Sequence, residues 1–406
     1  MADLVQKFCG LTDDDSYSEL IDLLMASPKY GEHMAVPWLD ASRYADTDGY
    51  QNDRYRYMHV WRDWVIHSLN ENMPYDQFIL EQVAGDMLPN ATLKQQIATG
   101  FCRNHRINSE DGSIPEEWHV ENVVDRIDTI GTAILGLTVG CARCHDHKFD
   151  PISAKEYYQL FAFFNNVPEW GVGPNNGNSP PFIKVPDSWP HLTVEENVAV
   201  EPAPVKLRGA REGQMGNGLK RPQAGSNKTV MVMHEMEVPR PTYLLKRGQF
   251  DAPDKSEVLV PGVPQALSTN NGQPPQTRLE FAQWLVNQEN PLTARVAVNR
   301  TWQQFFGTGL VKTSENFGTQ GELPSHPELL DWLAVEFREK GWNQKHILRL
   351  LVTSQAFKQS SQFRTDLDDP KNRLLARGPA FRLDAEVIRD IGLWSSGLLD
   401  PTMGGE

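Results

Sequence analysis

The chain has 406 residues, too many for one compact core, and its 39% hydrophobic content, with eleven Trp and seventeen Phe, is ample for two. A net charge of −14 excludes a nucleic-acid binder built on a basic, counterion-displacing face. No run approaches the roughly 20 apolar residues of a spanning helix, so no membrane span is expected in this chain.

Residues 1–10 lack the basic start and apolar core of a secretory signal, and the chain stops at Gly404-Gly405-Glu406 directly after a helical pattern. Together these suggest a fragment of a longer protein. The first helical pattern covers residues 17–29, where apolar residues at helical spacing run into Ser27-Pro28, and a second covers 31–45. Residues 46–57 are polar and contain Gly49, which predicts a loop. Helices are predicted over 59–71, which carries Val60, Trp61, Trp64, Val65 and Leu69, and over 75–84 and 91–101. Pro115 at a first helical position, followed by Glu116 and Glu117, predicts a helix to about residue 137. Ser153 and Glu156 form a capping-box pattern that opens a helix over 153–165.

From Pro168 to Ala224 the periodicity disappears and Pro, Gly and Asn accumulate, as in an irregular linker. Residues 229–233 and 243–245 are β-prone. Helical patterns return at 277–288, 292–306, 326–340, 343–355 and 383–397. The expected fold is mainly α: a helical domain over 1–168, an irregular linker over 169–224, a small β segment over 225–275, and a second helical domain over 276–406, cut at its C-terminus.

Of four cysteines, Cys9, Cys102, Cys141 and Cys144, only the last two form a pattern. Cys141-Ala142-Arg143-Cys144-His145 is the spacing of covalent haem c attachment. Two thiols so spaced add to the two vinyl groups of one haem, and the following His ligates the iron. Three other readings stay open: a zinc site using Cys141, Cys144, His145 and His147, a Cys141–Cys144 redox or structural disulfide, and a vestigial or coincidental motif. Sixth-ligand candidates are Met58, Met73, Met87, Met215, Met231, Met233, Met236, His33, His59, His105 and His119. The oxygen-rich loop with Asp46, Asp48, Asn52 and Asp53 could supply Asp46 to a divalent-metal site with His147 and Asp150, if the fold brings them together. The polar stretch 103–117 either lines a pocket, with Arg103 and Arg106 on an anion, or consists of caps and surface ion pairs.

Longer motifs carry a resemblance. The segments 38–46, 61–65 and 73–79 and the run from Gly136 through Ile152 resemble the planctomycete-type cytochrome c-like domain. The segments 290–302 and 325–334 resemble its companion domain of unknown function. The sequence departs from the pattern at Cys102 and Asp111. The resemblance implies a periplasmic or otherwise extracytoplasmic protein working with a redox partner or an additional haem domain. It also implies a setting of polysaccharide breakdown, with carbohydrate as a candidate substrate. Electron transfer, a metal-dependent or oxidative enzyme, and a non-haem binding protein are the three functions to separate.

Overall fold

The computed structural model describes residues 14–186, 189, 225–268 and 273–405. Helix His59–Asn70 places Val60, Trp61, Trp64, Val65 and Leu69 on one buried stripe, as their spacing requires. Its neighbours are Asp14–Ala26, Lys29–Ala41, Tyr75–Ala84 and Leu93–Ala98, the last closed by a Thr92/Gln95 capping box. At their centre Trp38 meets Phe78 edge-on and stacks on Phe101, with centroids 5.2 and 5.5 Å apart.

Helix Pro115–Ile130 begins at the expected proline, with Glu116 and Glu117 in its first turn. It ends earlier than its pattern suggests. Residues Gly131–Leu135 widen into a π turn, and Gly136 closes it in the left-handed region at φ 61°. The Gly136 and Leu137 amides both return to the Gly131 carbonyl, the latter at 2.8 Å. Ser153 and Glu156 cap helix Ala154–Ala162 as the sequence predicts.

Among the described residues the sheet content is two small antiparallel pairs: Phe182–Lys184 with Thr229–Met231, and Thr242–Leu245 with Pro253–Leu259. Thr229–Met231 and Thr242–Leu245 fall on the two β-prone stretches. The strand Phe182–Lys184 lies in the segment read as linker. Residues 187, 188 and 190–224 of that segment, and 269–272 of the β segment, lie outside the described residues. What is described of the linker is packed, not loose. Asn178 is fully buried, with its amide exchanging hydrogen bonds with the Tyr57 backbone at 2.8 and 3.0 Å and donating to the Thr229 carbonyl at 3.0 Å. Backbone satisfied by a side-chain amide leaves no hydrophobic period to read.

The C-terminal half comprises Arg278–Leu285, Thr293–Phe306, Pro327–Glu339, Gln344–Thr353, Gln355–Lys358 and Ala385–Ser395. One contiguous hydrophobic cluster runs from Ile21 to Val352, through both halves. Helix Arg278–Leu285 packs on Tyr75–Ala84, and the Tyr75 ring stacks on Trp342 at 6.3 Å. The architecture is mainly α, with thirteen α-helices among the described residues. No helix among them is long and apolar enough to cross a membrane.

Candidate functional site

The Cys-x-x-Cys-His motif sits on a 3₁₀ turn, Val139–Arg143, between the π turn and helix Ala154–Ala162. A 3₁₀ helix has three residues per turn, so side chains at i and i+3 eclipse. Val139 and Ala142 take the inward side, 2% and 0% exposed. Cys141 and Cys144 take the outward side as free, exposed thiols. The sequence therefore anchors the turn with one eclipsed pair and presents the other.

Neighbours fix the turn from several directions. Arg143, between the two cysteines, pairs with Glu121 at 2.5 and 3.2 Å and donates to the Gly248 carbonyl at 3.2 Å. Its own carbonyl accepts the Tyr158 hydroxyl at 2.9 Å. Gly248 has a positive φ of 72°, and a side chain there would come within 3.0 Å of Cys144 Sγ. Gly140 lies over the Asp128 carboxylate; a Cβ would meet Asp128 Oδ2 at 3.0 Å.

The two motif histidines are held in opposite tautomers. His145 is exposed, and its Nδ1 lies 2.7 Å from the Asp146 carbonyl. A carbonyl only accepts, so Nδ1 carries the proton and Nε2 presents a bare lone pair. His147 is buried, and its Nδ1 accepts the Asp150 amide at 2.8 Å. Its neutral ring must carry the proton on Nε2, which removes both nitrogens as ready metal ligands.

The sequence's tentative metal trio is not assembled. His147 and Asp150 meet at 3.6 Å. Asp150, however, accepts the Thr319 amide and hydroxyl at 2.7 and 2.8 Å. Asp46 is engaged elsewhere, by the Tyr44 hydroxyl and by the Met58 amide at 2.8 Å. Among the described residues no three His, Cys, Asp or Glu side chains form a group that could hold a metal ion. In the same acidic loop, Asp53 accepts the Gly49 amide at 2.7 Å, and burial pushes the Asp48 carboxyl up to about 7. The loop is closed on itself.

The stretch 103–117 divides. Arg103 and Arg126 are buried on Glu169: Arg103 donates at 2.8 Å, and Arg126 binds in a fork at 2.7 and 2.6 Å. Arg103 is thus committed to an internal ion network. Arg106 is exposed and lies over Tyr50 and Trp118, 5.6 and 5.4 Å from the ring centres. Cys102, one departure from the resemblance, is buried, and burial pushes its thiol up to about 11. Of the sixth-ligand candidates, Met58, Met231 and Met233 are core residues at 0–1% exposure. His105 has both ring nitrogens occupied, by the Arg106 carbonyl at 3.0 Å and Arg126 at 3.1 Å. Met215 lies outside the described residues.

Sequence reasoning missed the residues that frame the motif, Glu121, Gly248, Arg300, Phe317 and Thr319. Arg300 lies in helix Thr293–Phe306 of the second half. It donates to the Thr132 carbonyl in the π turn at 2.9 Å. Its neighbour Asn299 spans the Val311 backbone at 2.8 and 2.9 Å, which is fold-specific hydrogen bonding.

A pH-dependent stability follows from Asp128. Burial, and then the Asp125 charge, push its carboxyl up to about 6 from 3.8. Among the described residues, its Oδ1 and the hydroxyl of Tyr157 have no hydrogen-bond partner. The raised value means the folded protein holds this proton more tightly than the unfolded chain. The contribution is complete below 3.8 and lost as pH rises through about 6. Asp128→Asn is therefore expected to stabilise the fold at pH 8 by about 1–3 kcal/mol and to do little at pH 3.5. Thermal midpoints at the two pH values check this; equal shifts at both would contradict it.

Comparison with known families gives two matches in tandem. Residues 1–169 match the family described as PSCyt2, protein of unknown function (DUF1549). Residues 277–406 match PSD1, protein of unknown function (DUF1553). Their tandem order matches the two-domain description read from the sequence. No curated protein and no solved structure matches the chain.

Proposed function

We propose that the turn Cys141–His145 is the covalent attachment site of a c-type haem, in an exported protein that passes electrons to a redox partner. The observation that carries this reading is the combination on one exposed turn. Two free thiols are presented on its eclipsed face, and the imidazole beside them has Nδ1 tied to a backbone carbonyl. That hydrogen bond leaves Nε2 as the nitrogen free to ligate, since a metal-binding histidine is oriented by a partner that holds its other ring N–H.

Cys141 and Cys144 would hold the haem through thioether bonds, and His145 would ligate its iron. The bound group supplies one-electron transfer at the protein surface. The chain's own residues do the rest. Val139 and Ala142 seat the turn, Glu121 and the Gly248 carbonyl hold Arg143 beside it, and the Asp146 carbonyl orients His145. Thioether attachment takes place outside the cytoplasm, so this reading includes an extracytoplasmic compartment for the protein.

The test is a pyridine haemochrome spectrum of the protein exported from a host with a c-type maturation system. A covalent c-type spectrum is expected, and it disappears in Cys141→Ser/Cys144→Ser. A colourless product, where a known cytochrome matures normally, would sink the reading.

A further inference from the structure

The motif is flanked by two unusual points, equally far along the chain on either side of it. Before it, Gly136 turns in the left-handed region, and after it, Asp150 is a buried carboxylate. Both are gripped by a single short loop of the C-terminal half. The Phe317 amide donates to the Gly136 carbonyl at 2.6 Å. The Phe317 ring packs so closely that a Cβ on Gly136 would meet it at 2.8 Å. Two residues on, the Thr319 amide and hydroxyl both donate to Asp150 Oδ1. Gly318, between them, has no room for a side chain, since a Cβ would lie 2.6 Å from Asp150 Oδ2.

The gripping loop is itself braced. Thr313 accepts the Asn316 amide at 2.8 Å, and Gly321 returns to Gly318 at 2.9 Å. Lys312 and Glu322 pair across its base at 2.8 Å. On the motif side, Asp150 passes the constraint inward. Its amide holds His147 Nδ1, and the His147 amide holds the Ile152 carbonyl at 2.8 Å. A braced loop that holds both ends of an exposed reactive turn removes freedom that the turn would otherwise have to lose when it reacts.

We infer that the loop 313–321 of the C-terminal half is the positioning element of the Cys141–His145 turn, with Thr319 and Phe317 as its two contacts. This rests on that turn being the working site, but not on haem being the group it carries. The companion half thereby acquires a role toward a site to which it contributes no ligand.

The test uses the full chain without haem, so its outcome is independent of the haemochrome result. Thr319→Val keeps the volume and the backbone donor and removes only the hydroxyl; Thr319→Ser restores it. Loss of one hydrogen bond to a carboxylate is worth about a tenfold shift in local opening. Amide exchange in residues 137–150 is therefore expected to speed about tenfold in Thr319→Val and to return to the parent rate in Thr319→Ser. The equilibrium of the Cys141–Cys144 pair with glutathione is expected to move toward the disulfide in Thr319→Val alone, because a released turn can adopt the geometry the S–S bond demands. Arg295→Ala, which breaks the surface pair with Asp331, serves as the control that loosens the same half elsewhere. Unchanged exchange in Thr319→Val, or an equal thiol shift in Arg295→Ala, overturns the inference.

Discussion

Glu169→Gln is expected to cost about 3–5 kcal/mol of folding stability, the loss seen when one member of a buried ion network is neutralised. Glu169 is 2% exposed at its side chain, and Arg103 and Arg126, which it joins, are 0% and 1% exposed. Burial alone would push its carboxyl up. The Arg126 and Arg103 guanidiniums outweigh that and hold it well below the usual carboxylate range. A glutamine keeps the shape and leaves two guanidiniums buried without a countercharge. The sign with pH is fixed by the depressed value. The stability is present above the ordinary glutamate range and is lost only as pH falls through the much lower folded value. The parent should therefore keep this contribution from neutral pH down to the mildly acidic range, and the variant should lack it throughout. Urea unfolding at pH 7 and pH 5 checks this. A variant that loses less than about 1 kcal/mol would show that the arginines draw their stability from backbone carbonyls instead, such as those of Ser179 and Pro180 that Arg103 reaches.

The same hub shows where sequence reading stops. The helices were legible wherever one stripe is buried or one end is capped, as in His59–Asn70, Pro115–Ile130 and the Ser153 box. Those signals are carried by residues three or four apart. The Cys141–His145 motif was legible for the same reason, because its residues lie within a single turn. The strand Phe182–Lys184 was not legible, since its partner Thr229–Met231 lies far along the chain. Nor was the division between His145 and His147, which look equivalent as residues. Which one can ligate depends on whether Nδ1 meets a carbonyl or an amide. Neither reading of Arg103, on an anion in a pocket or among caps and surface ion pairs, foresaw its burial, because its partner Glu169 sits in the stretch that reads as linker.

The second large effect concerns what joins the two halves. Arg278 opens the first helix of the C-terminal half and is fully buried. It binds Asp86 in a fork at 2.8 and 2.7 Å, Glu235 at 2.8 Å and the Val83 carbonyl at 2.7 Å. Burial would lower its pKa, but the Asp86 and Glu235 charges beside it raise it. Arg278→Met fills similar volume, removes every one of these bonds, and leaves the nearly buried Asp86 carboxylate unpaired. The expected loss is about 3–5 kcal/mol. Whether the halves then separate depends on the second join, where Tyr75 stacks with Trp342 and packs on Phe337, with centroids 6.3 and 5.7 Å apart. Each aromatic pair adds about 0.5–1.5 kcal/mol beyond its buried area, and the Tyr75 amide also donates to the Trp342 carbonyl at 3.0 Å. That join survives the substitution, and so does the apolar cluster that spans both halves. Arg278→Met should therefore shift a single urea transition to lower denaturant without splitting it. Two resolved transitions would mean that the charged join, rather than the shared apolar core, makes the chain one cooperative unit. In that case the loop 313–321 could release the Cys141–His145 turn while the N-terminal half stays folded.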